Sequence, residues 1–367
     1  MDYRVSAQER AAFKRCRRQW DFGSATRQNL QAVDPPPPDL DKAFRDALAV
    51  YYYPGMWDWP SHIVLPLVRK AFMRTMAAAP PSPQRAADFD LGSELLEQYF
   101  AWAPRLDDFC PLKIETDVES LVPDVREAGR DLLAFDGRRV LYTERVAVLA
   151  VDAADESWVV SHHVVDEWHD IESLLLDEAA VASCWAWEQT YLMEVAGTIH
   201  NEVLRSPLDP PDPPDPAPGD TRTGRPGRGG YSQNEPSGGG RSIPQLQRPE
   251  RLEGRRLTDD RVKQETAGLV RRTRIRRGRA EMEASRRQVG TEVLEMLDPG
   301  LAPYPTPSAA HCPHCLFVAP CLTMVEGGDP TLDLAIRFRK GPASPTYEPR
   351  LGAGGGGGRY VPLPPHP

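Results

Sequence analysis

Several motifs that define common protein classes are missing from this 367-residue sequence. It has no Gly-x-x-x-x-Gly-Lys-Ser/Thr, so the chain is not itself a P-loop motor, and no glycine-rich dinucleotide fingerprint follows a predicted strand. No apolar run has the length that a membrane-spanning helix needs. The polar start, Met1-Asp-Tyr-Arg-Val-Ser, does not match a secretory signal. These absences predict a cytoplasmic protein without a membrane partner.

Proline, by contrast, is abundant and unevenly distributed. The 38 prolines are about twice the usual share. The stretch 206–256 is rich in Pro and Gly and has almost no large apolar residue, so it predicts a disordered insertion. The stretch 341–367 is predicted to be a disordered tail for the same reason. The remainder, 1–205 plus 257–340, is expected to form one discontinuous domain.

The chain has few cysteines, and four of its six are placed unusually. Cys312, Cys315 and Cys321 lie close together near the C-terminus, whereas Cys16 lies almost three hundred residues earlier. In a large cytosolic chain such cysteines are metal ligands or core residues more often than disulfides. Four thiolates can bind a tetrahedral Zn²⁺ or an iron–sulfur cluster. We therefore predict a metal site that joins the two ends of the chain.

Other ligand sets remain open at this point. His311 and His314 flank Cys312 and could replace Cys16 in a Cys₃His zinc site. Cys110 and Cys184 lie in apolar segments and are predicted to be small core residues.

Apolar periodicity predicts helices, then a sheet, then helices again. Ser6 and Glu9 have the spacing of a capping box at the start of the first helix. Further helices are predicted at 40–53, 91–103, 171–204 and 257–296, and strands at 112–122, 139–149 and 158–165. This order indicates an α/β protein with a small mixed β-sheet flanked by helices.

Charge is also unevenly distributed. The net charge of −9 argues against a general polyanion binder, yet 251–287 contains thirteen Arg or Lys against six Asp or Glu. We predict a nucleic-acid-binding surface from this segment and from the basic residues around Cys16. Its candidate residues are Arg17, Arg18, Arg271, Arg272, Arg274, Arg276 and Arg277. The alternative is a solvated helix face.

Both ends of the chain resemble one family. The start, 6–22, contains Cys16-Arg-Arg-Gln-Trp, and Tyr304-Pro-Thr-Pro precedes the three C-terminal cysteines. This pattern resembles RecB/AddB-type nuclease domains of the PD-(D/E)xK superfamily and is similar to the CRISPR-adaptation exonucleases. The resemblance implies a restriction-endonuclease-like core. It also implies a [4Fe–4S] cluster held by Cys16, Cys312, Cys315 and Cys321.

The resemblance further implies a catalytic set, which this sequence lacks. Family members carry Asp on one strand, Asp/Glu-x-Lys on the next, Gln and Tyr on the following helix, and an upstream His. The corresponding residues here are Ala147, Ser161, His163, Ala179, Ser183 and Arg45. Glu115 is the one candidate remnant. None of the six lysines has Asp or Glu two positions before it, so the tripeptide is absent in any alignment.

The sequence therefore predicts a pseudonuclease that keeps a [4Fe–4S] cluster and that binds DNA or acts as a scaffold. Its expected partner is a protein, such as a helicase or another DNA-processing subunit, and DNA is a second expected partner. Bound Mg²⁺ or Mn²⁺ is not expected.

Two other functions stay open. One is a divergent metal-dependent nuclease, whose ligands would come from His162, His163, His169, Glu115, Asp166 and Glu178. The other is a structural zinc protein for protein–protein interaction.

Overall fold

The fold is mixed α/β, with a large mixed sheet flanked by helices. The structure is a computed structural model that describes residues 2–78, 80–126, 132–205 and 261–341. The predicted insertion, 206–256, and the tail beyond Gly341 lie outside the described residues. Within the described part, no helix is long and apolar enough to cross a membrane.

The main sheet is larger than the sequence indicated, with eight strands in the described residues. The strands are β1 (Tyr3–Ser6), β2 (Leu30–Ala32), β3 (Phe109–Leu121), β4 (Ala134–Phe135), β5 (Arg138–Asp152), β6 (Ser157–Val165), β7 (Val195–Leu204), β8 (Val262–Ala267), β9 (Val270–Arg276) and β10 (Phe338–Lys340). The order is β1-β5-β6-β7-β9-β8, and β3 and β4 also pair with β5. The β1–β5 and β6–β7 pairs are parallel and the others are antiparallel. Strands β2 and β10 form a separate antiparallel pair.

Helices cover both faces of this sheet. They are α1 (Ala7–Arg15), α2 (Arg17–Gly23), α3 (Leu40–Tyr51), α4 (Ser61–Met76), α5 (Pro83–Leu106), α6 (Ile171–Leu175), α7 (Glu178–Tyr191), α8 (Arg279–Met296), α9 (Val318–Val325) and α10 (Thr331–Arg337). Short 3₁₀ turns lie at Pro54–Met56 and Cys312–His314. The predicted N-cap is confirmed, because the Ser6 side chain accepts a hydrogen bond from the Glu9 amide at 3.0 Å.

The buried apolar residues form two large clusters and one small one. Helices α3, α4 and α5 pack on one face of the sheet, and α1, α7 and α8 pack on the other. The small cluster consists of Phe22, Phe317 and Phe338, and it lies where the two ends of the chain meet. The two large clusters provide most of the burial that holds the sheet.

The predicted strands and the helix at 40–53 are confirmed, but two predicted helices are partly wrong. The 171–204 segment ends in β7, whose residues are nearly all buried. A strand buried on both faces has a continuous apolar run, which periodicity does not separate from a buried helix. The 257–296 segment contains the β8–β9 hairpin, and its helix begins only at Arg279. Helix α4 was missed because Pro66 interrupts its pattern.

Candidate functional site

Four cysteines from opposite ends of the chain line one cavity of about 230 Å³. Cys16 lies between α1 and α2, in an extended conformation that breaks the expected first helix in two. Cys312 begins the 3₁₀ turn, Cys315 follows that turn, and Cys321 lies in α9. The structure therefore brings together the four residues that the sequence singled out as metal ligands.

The segment 304–308 holds the cysteine side chains in place. The Thr306 amide donates to Cys16 Sγ at 3.4 Å, and the Ser308 amide donates to Cys312 Sγ at 3.3 Å. The backbone of α2 joins the same segment through the Arg18 amide, which donates to the Tyr304 carbonyl at 3.1 Å. These bonds place amide dipoles on two of the four sulfurs.

The cavity brings sulfur atoms and two arginines together. Burial raises the pKa of the Cys315 thiol, and the nearby sulfurs of Cys16, Cys312 and Cys321 raise it further. The cavity lining includes Arg15 and Arg18 but no carboxylate. A bound metal would remove the thiol protons and so relieve this repulsion.

The four sulfurs share one cavity without forming a site for a single ion within the described residues. Within the described ranges, no group of three or more His, Cys, Asp or Glu residues is placed to bind one metal ion. Zinc needs its sulfurs about 3.8 Å apart, as in a tetrahedron with Zn–S bonds of about 2.3 Å. In a [4Fe–4S] cluster each cysteine binds a different iron atom, so the sulfurs lie farther apart around a shared core. His311 also lines the cavity, whereas His314 is not among its lining residues.

The second predicted site lies where β5, β6 and α7 meet. In the structure β5 and β6 are antiparallel neighbours, and Ala147 and Ser161 are half-buried on them. Ser161 Oγ lies 3.3 Å from His200 Nδ1, while His163 and Ala179 are exposed. These side chains form no carboxylate–lysine constellation, which agrees with the sequence.

Glu115 and Arg45 lie at the edge of this position. Glu115 has a positive φ of 42° and interrupts the β3–β5 ladder between Ile114 and Thr116. The pKa of its carboxyl is raised by partial desolvation, although the residue is exposed by area, and Arg145 opposes that shift. Arg45 Nε donates to Asp41 at 3.0 Å. A single exposed carboxylate with arginines nearby does not make a two-metal site.

The sequence missed a buried carboxylate close to this position. Glu144 on β5 accepts hydrogen bonds from Ser183 Oγ at 2.5 Å and Tyr142 Oη at 3.0 Å. Burial raises the pKa of Glu144 to about 7. The sequence gives little signal for it, because Glu144 stands in the middle of β5 between Thr143 and Arg145, and such a polar run does not reveal which side chain faces inward.

A second missed feature is a buried ion pair on the other face of the sheet. Arg272 Nη2 donates to Asp107 Oδ1 at 2.6 Å, and Arg272 Nε donates to Asn201 Oδ1 at 2.8 Å. Tyr52 Oη donates to the same carboxylate at 3.2 Å. His162 is buried beside this group, and burial, followed by the charge of Arg272, lowers its pKa well below the ordinary value.

Four of the predicted phosphate-binding arginines, Arg271, Arg272, Arg274 and Arg276, lie on strand β9, Arg277 follows it, and Arg17 and Arg18 lie on α2. Arg271, Arg272 and Arg277 are each less than 10% exposed. Arg271 pairs with Glu202 at 2.5 Å, and Arg277 donates to the Leu174 carbonyl at 2.6 Å. The remaining contacts pair Arg274 with Asp108, Arg276 with Glu156 and Arg17 with Glu295. Their charges are therefore largely compensated within the chain.

The residues of the alternative metal site are dispersed in the same way. His169 Nδ1 lies 2.7 Å from Glu202, Asp166 lies 3.5 Å from Arg205, and Glu178 pairs with Lys14. Asp166 and Glu178 of this set therefore already have partners.

Comparisons with known proteins add little. No family model matches the chain, and no curated protein matches it. A solved structure described as "Crystal structure of SSO0001" is similar with a TM-score of 0.21 and 9% identity. The match covers 43% of this chain and 61% of that one, so the chain matches less than two thirds of that protein. A TM-score this low carries no argument about a shared fold.

Proposed function

We propose that this chain is a PD-(D/E)xK-nuclease-like protein that has lost catalysis and keeps a [4Fe–4S] cluster. In this proposal Cys16, Cys312, Cys315 and Cys321 bind the cluster and close a restriction-endonuclease-like core. The protein then serves as a non-catalytic subunit that binds a protein partner or DNA.

The observation that carries the proposal is the cavity shared by the four cysteines. Its lining residues come from two parts of the chain almost three hundred residues apart. The lining includes two arginines but no carboxylate. When bound, a cluster would supply an anionic, covalently held link between these parts.

The residues at the catalytic positions of the sheet support the proposed loss of catalysis. The antiparallel β5–β6 pair is followed by α7, which is the order in which the family presents its catalytic residues. The three key positions hold Ala147, Ser161 and His163, which offer no carboxylate to a metal ion.

A protein partner is favoured over DNA by the arginines of β9. Phosphate binding requires cations that are exposed and available, because much of its energy comes from counterion release. Here Arg276 is the most exposed cation of the run, and Glu156 already pairs with it.

Anaerobic purification followed by iron and sulfide analysis tests the cluster. We expect a brown protein with about four iron and four sulfide per chain. Cys312→Ser should lose the colour, whereas Cys110→Ser, whose thiol lies outside the cavity, should keep it. A colourless protein with one zinc would overturn the proposal and favour the structural zinc protein.

A nuclease assay with Mg²⁺ or Mn²⁺ on single- and double-stranded DNA tests the proposed loss of catalysis. We expect no degradation. Degradation that is lost on both Glu115→Gln and His163→Gln would establish the divergent metal-dependent enzyme instead.

Titration with DNA at two salt concentrations distinguishes a DNA partner from a protein partner. We expect weak binding that is little changed in Arg274→Gln/Arg276→Gln. Tight, salt-sensitive binding that this double variant removes would favour DNA.

A further inference from the structure

Arg18 is a half-buried cation at the cysteine cavity. It lines that cavity, and Arg18 Nη1 donates a hydrogen bond to Cys321 Sγ at 3.6 Å. This contact places a positive charge beside one of the four sulfurs, where it would favour an anionic group.

Three neighbouring cations have carboxylate partners, whereas Arg15 and Arg18, which both line the cavity, form no ion pair within the described residues. Arg10 and Lys14 pair with Glu292 and Glu178, and Arg17 pairs with Glu295. In the described ranges, no carboxylate pairs with Arg18. The chain therefore supplies counter-charges around the basic cluster but leaves the cation that faces the sulfurs uncompensated.

We propose that Arg18 is the counter-cation of the cluster and that it raises the cluster's reduction potential. The inference rests on the proposed [4Fe–4S] cluster. One-electron reduction converts [4Fe–4S]²⁺ to [4Fe–4S]⁺, so the net charge with four thiolates changes from −2 to −3. A fixed positive charge beside Cys321 stabilises the more negative state. The hydrogen bonds from Thr306 and Ser308 to the other sulfurs act in the same direction.

Arg18 also joins α2 to the segment 304–308 beside the proposed cluster. Its amide is bonded to the Tyr304 carbonyl, so the residue that neutralises the sulfurs also fixes the segment carrying their amide donors. Arg18 is therefore a positioning residue that acts through Cys321 as well as through its charge.

A dithionite titration of the anaerobic full-length protein, followed by visible absorbance and electron paramagnetic resonance, tests this role. At the wild-type midpoint we expect the reduced-to-oxidised ratio in Arg18→Gln to fall about tenfold, which is about 59 mV for a one-electron couple. Arg18→Lys keeps the charge and should stay near the wild-type midpoint. Arg337→Gln is the matched control, because this arginine is exposed on α10 and lies outside the cavity, so solvent screens its charge and the ratio should change by less than about threefold.

The outcomes separate this inference from the proposed function. An unchanged midpoint in a fully loaded Arg18→Gln protein would overturn the role of Arg18 and leave the cluster intact. Wild-type protein without iron would overturn both. If Arg18→Gln loses its iron, Arg18→Lys decides: retained iron at the wild-type midpoint supports the role of charge, and lost iron in a folded protein overturns it.

Discussion

The sheet core and the C-terminal cap are held together in different ways. We define the cap as residues 301–341, which contain α9, α10 and β10. Both faces of the sheet are covered by large apolar clusters, whereas the cap packs through a cluster of three phenylalanines. Its exposed apolar residues include Leu322, Val325, Leu332 and Ile336, each at least 55% exposed. The core is closed by burial, whereas the cap has the β2–β10 pair and would gain a second link to Cys16 from the proposed cluster.

Polar groups differ between the two regions as well. In the core, the buried charge of Arg272 is matched by Asp107 and Asn201. Beside the cap, the half-buried Arg18 of α2 lies 3.6 Å from Cys321 Sγ. The first arrangement is complete within the protein chain, whereas the second would gain its counter-charge from the proposed cluster.

Arg272→Leu should have the largest effect, because it leaves Asp107 buried and unpaired. We expect a loss of about 3–5 kcal/mol in the free energy of unfolding. Urea denaturation followed by tryptophan fluorescence measures it. The matched control is Arg276→Leu on the same strand, whose exposed ion pair should contribute less than about 1 kcal/mol.

Adding Asp107→Leu to Arg272→Leu should restore part of the stability, since the uncompensated charge is then removed. Equal losses in Arg272→Leu and Arg276→Leu would mean that the core does not rely on its buried pair.

Cys16→Ser should open the cap and spare the sheet. A link that closes a long loop contributes about 2–4 kcal/mol, and its loss should fall on the cap alone. Limited proteolysis should then cut within 301–341 while the sheet stays protected. Cys110→Ser is the control, since Cys110 lies on β3 and outside the cavity.

Simultaneous loss of protection in β5, β6 and β7 would contradict the conclusion that the cap and the sheet core are held in different ways. In that case the cysteine link would hold the whole fold rather than the cap.

The sequence predicted the two regions unequally, for physical reasons. The helix 40–53 and the β5–β6 pair were predicted because a one-sided apolar pattern survives in the sequence. The sequence predicted a helix where the structure has strand β7, because burial on both faces removes the alternation typical of a strand. It also predicted a helix over strand β9, because the inward-facing arginines of that strand hide its pattern. The cysteine set was found because thiolates are rare and their spacing is informative. The sequence did not show that Glu144 is buried or that Arg18 lies beside Cys321, since tertiary packing decides both.

Glu144→Gln should change the pH dependence of the core. The folded pKa of Glu144 is raised to about 7 from an ordinary 4.5, so the folded state keeps a proton that the unfolded state loses. Its contribution to stability is complete below pH 4.5 and is lost as the pH rises through about 7. Glutamine mimics the protonated form. Relative to wild type, the variant should gain about 3 kcal/mol between pH 4.5 and 8.

Denaturation midpoints at several pH values measure this difference. Glu119→Gln is a suitable control, because Glu119 lies on the neighbouring strand β3 in an ordinary surface pair with Arg4. His200 acts in the opposite direction, since burial lowers its pKa to about 4, so the wild-type curve alone does not isolate Glu144. Parallel curves for wild type and Glu144→Gln would mean that the carboxyl is solvated.

Leu332→Ser should have the smallest effect and tests the cap directly. Leu332 is 70% exposed on α10, so the substitution buries no polar group and leaves no cavity. We expect a change within about 0.5 kcal/mol. The same exchange at Leu48, which is fully buried in the core, should cost more than about 2 kcal/mol in urea denaturation. If Leu332→Ser destabilised the protein by as much, α10 would be covered in solution. Burial, and not only the cysteine link, would then hold the cap.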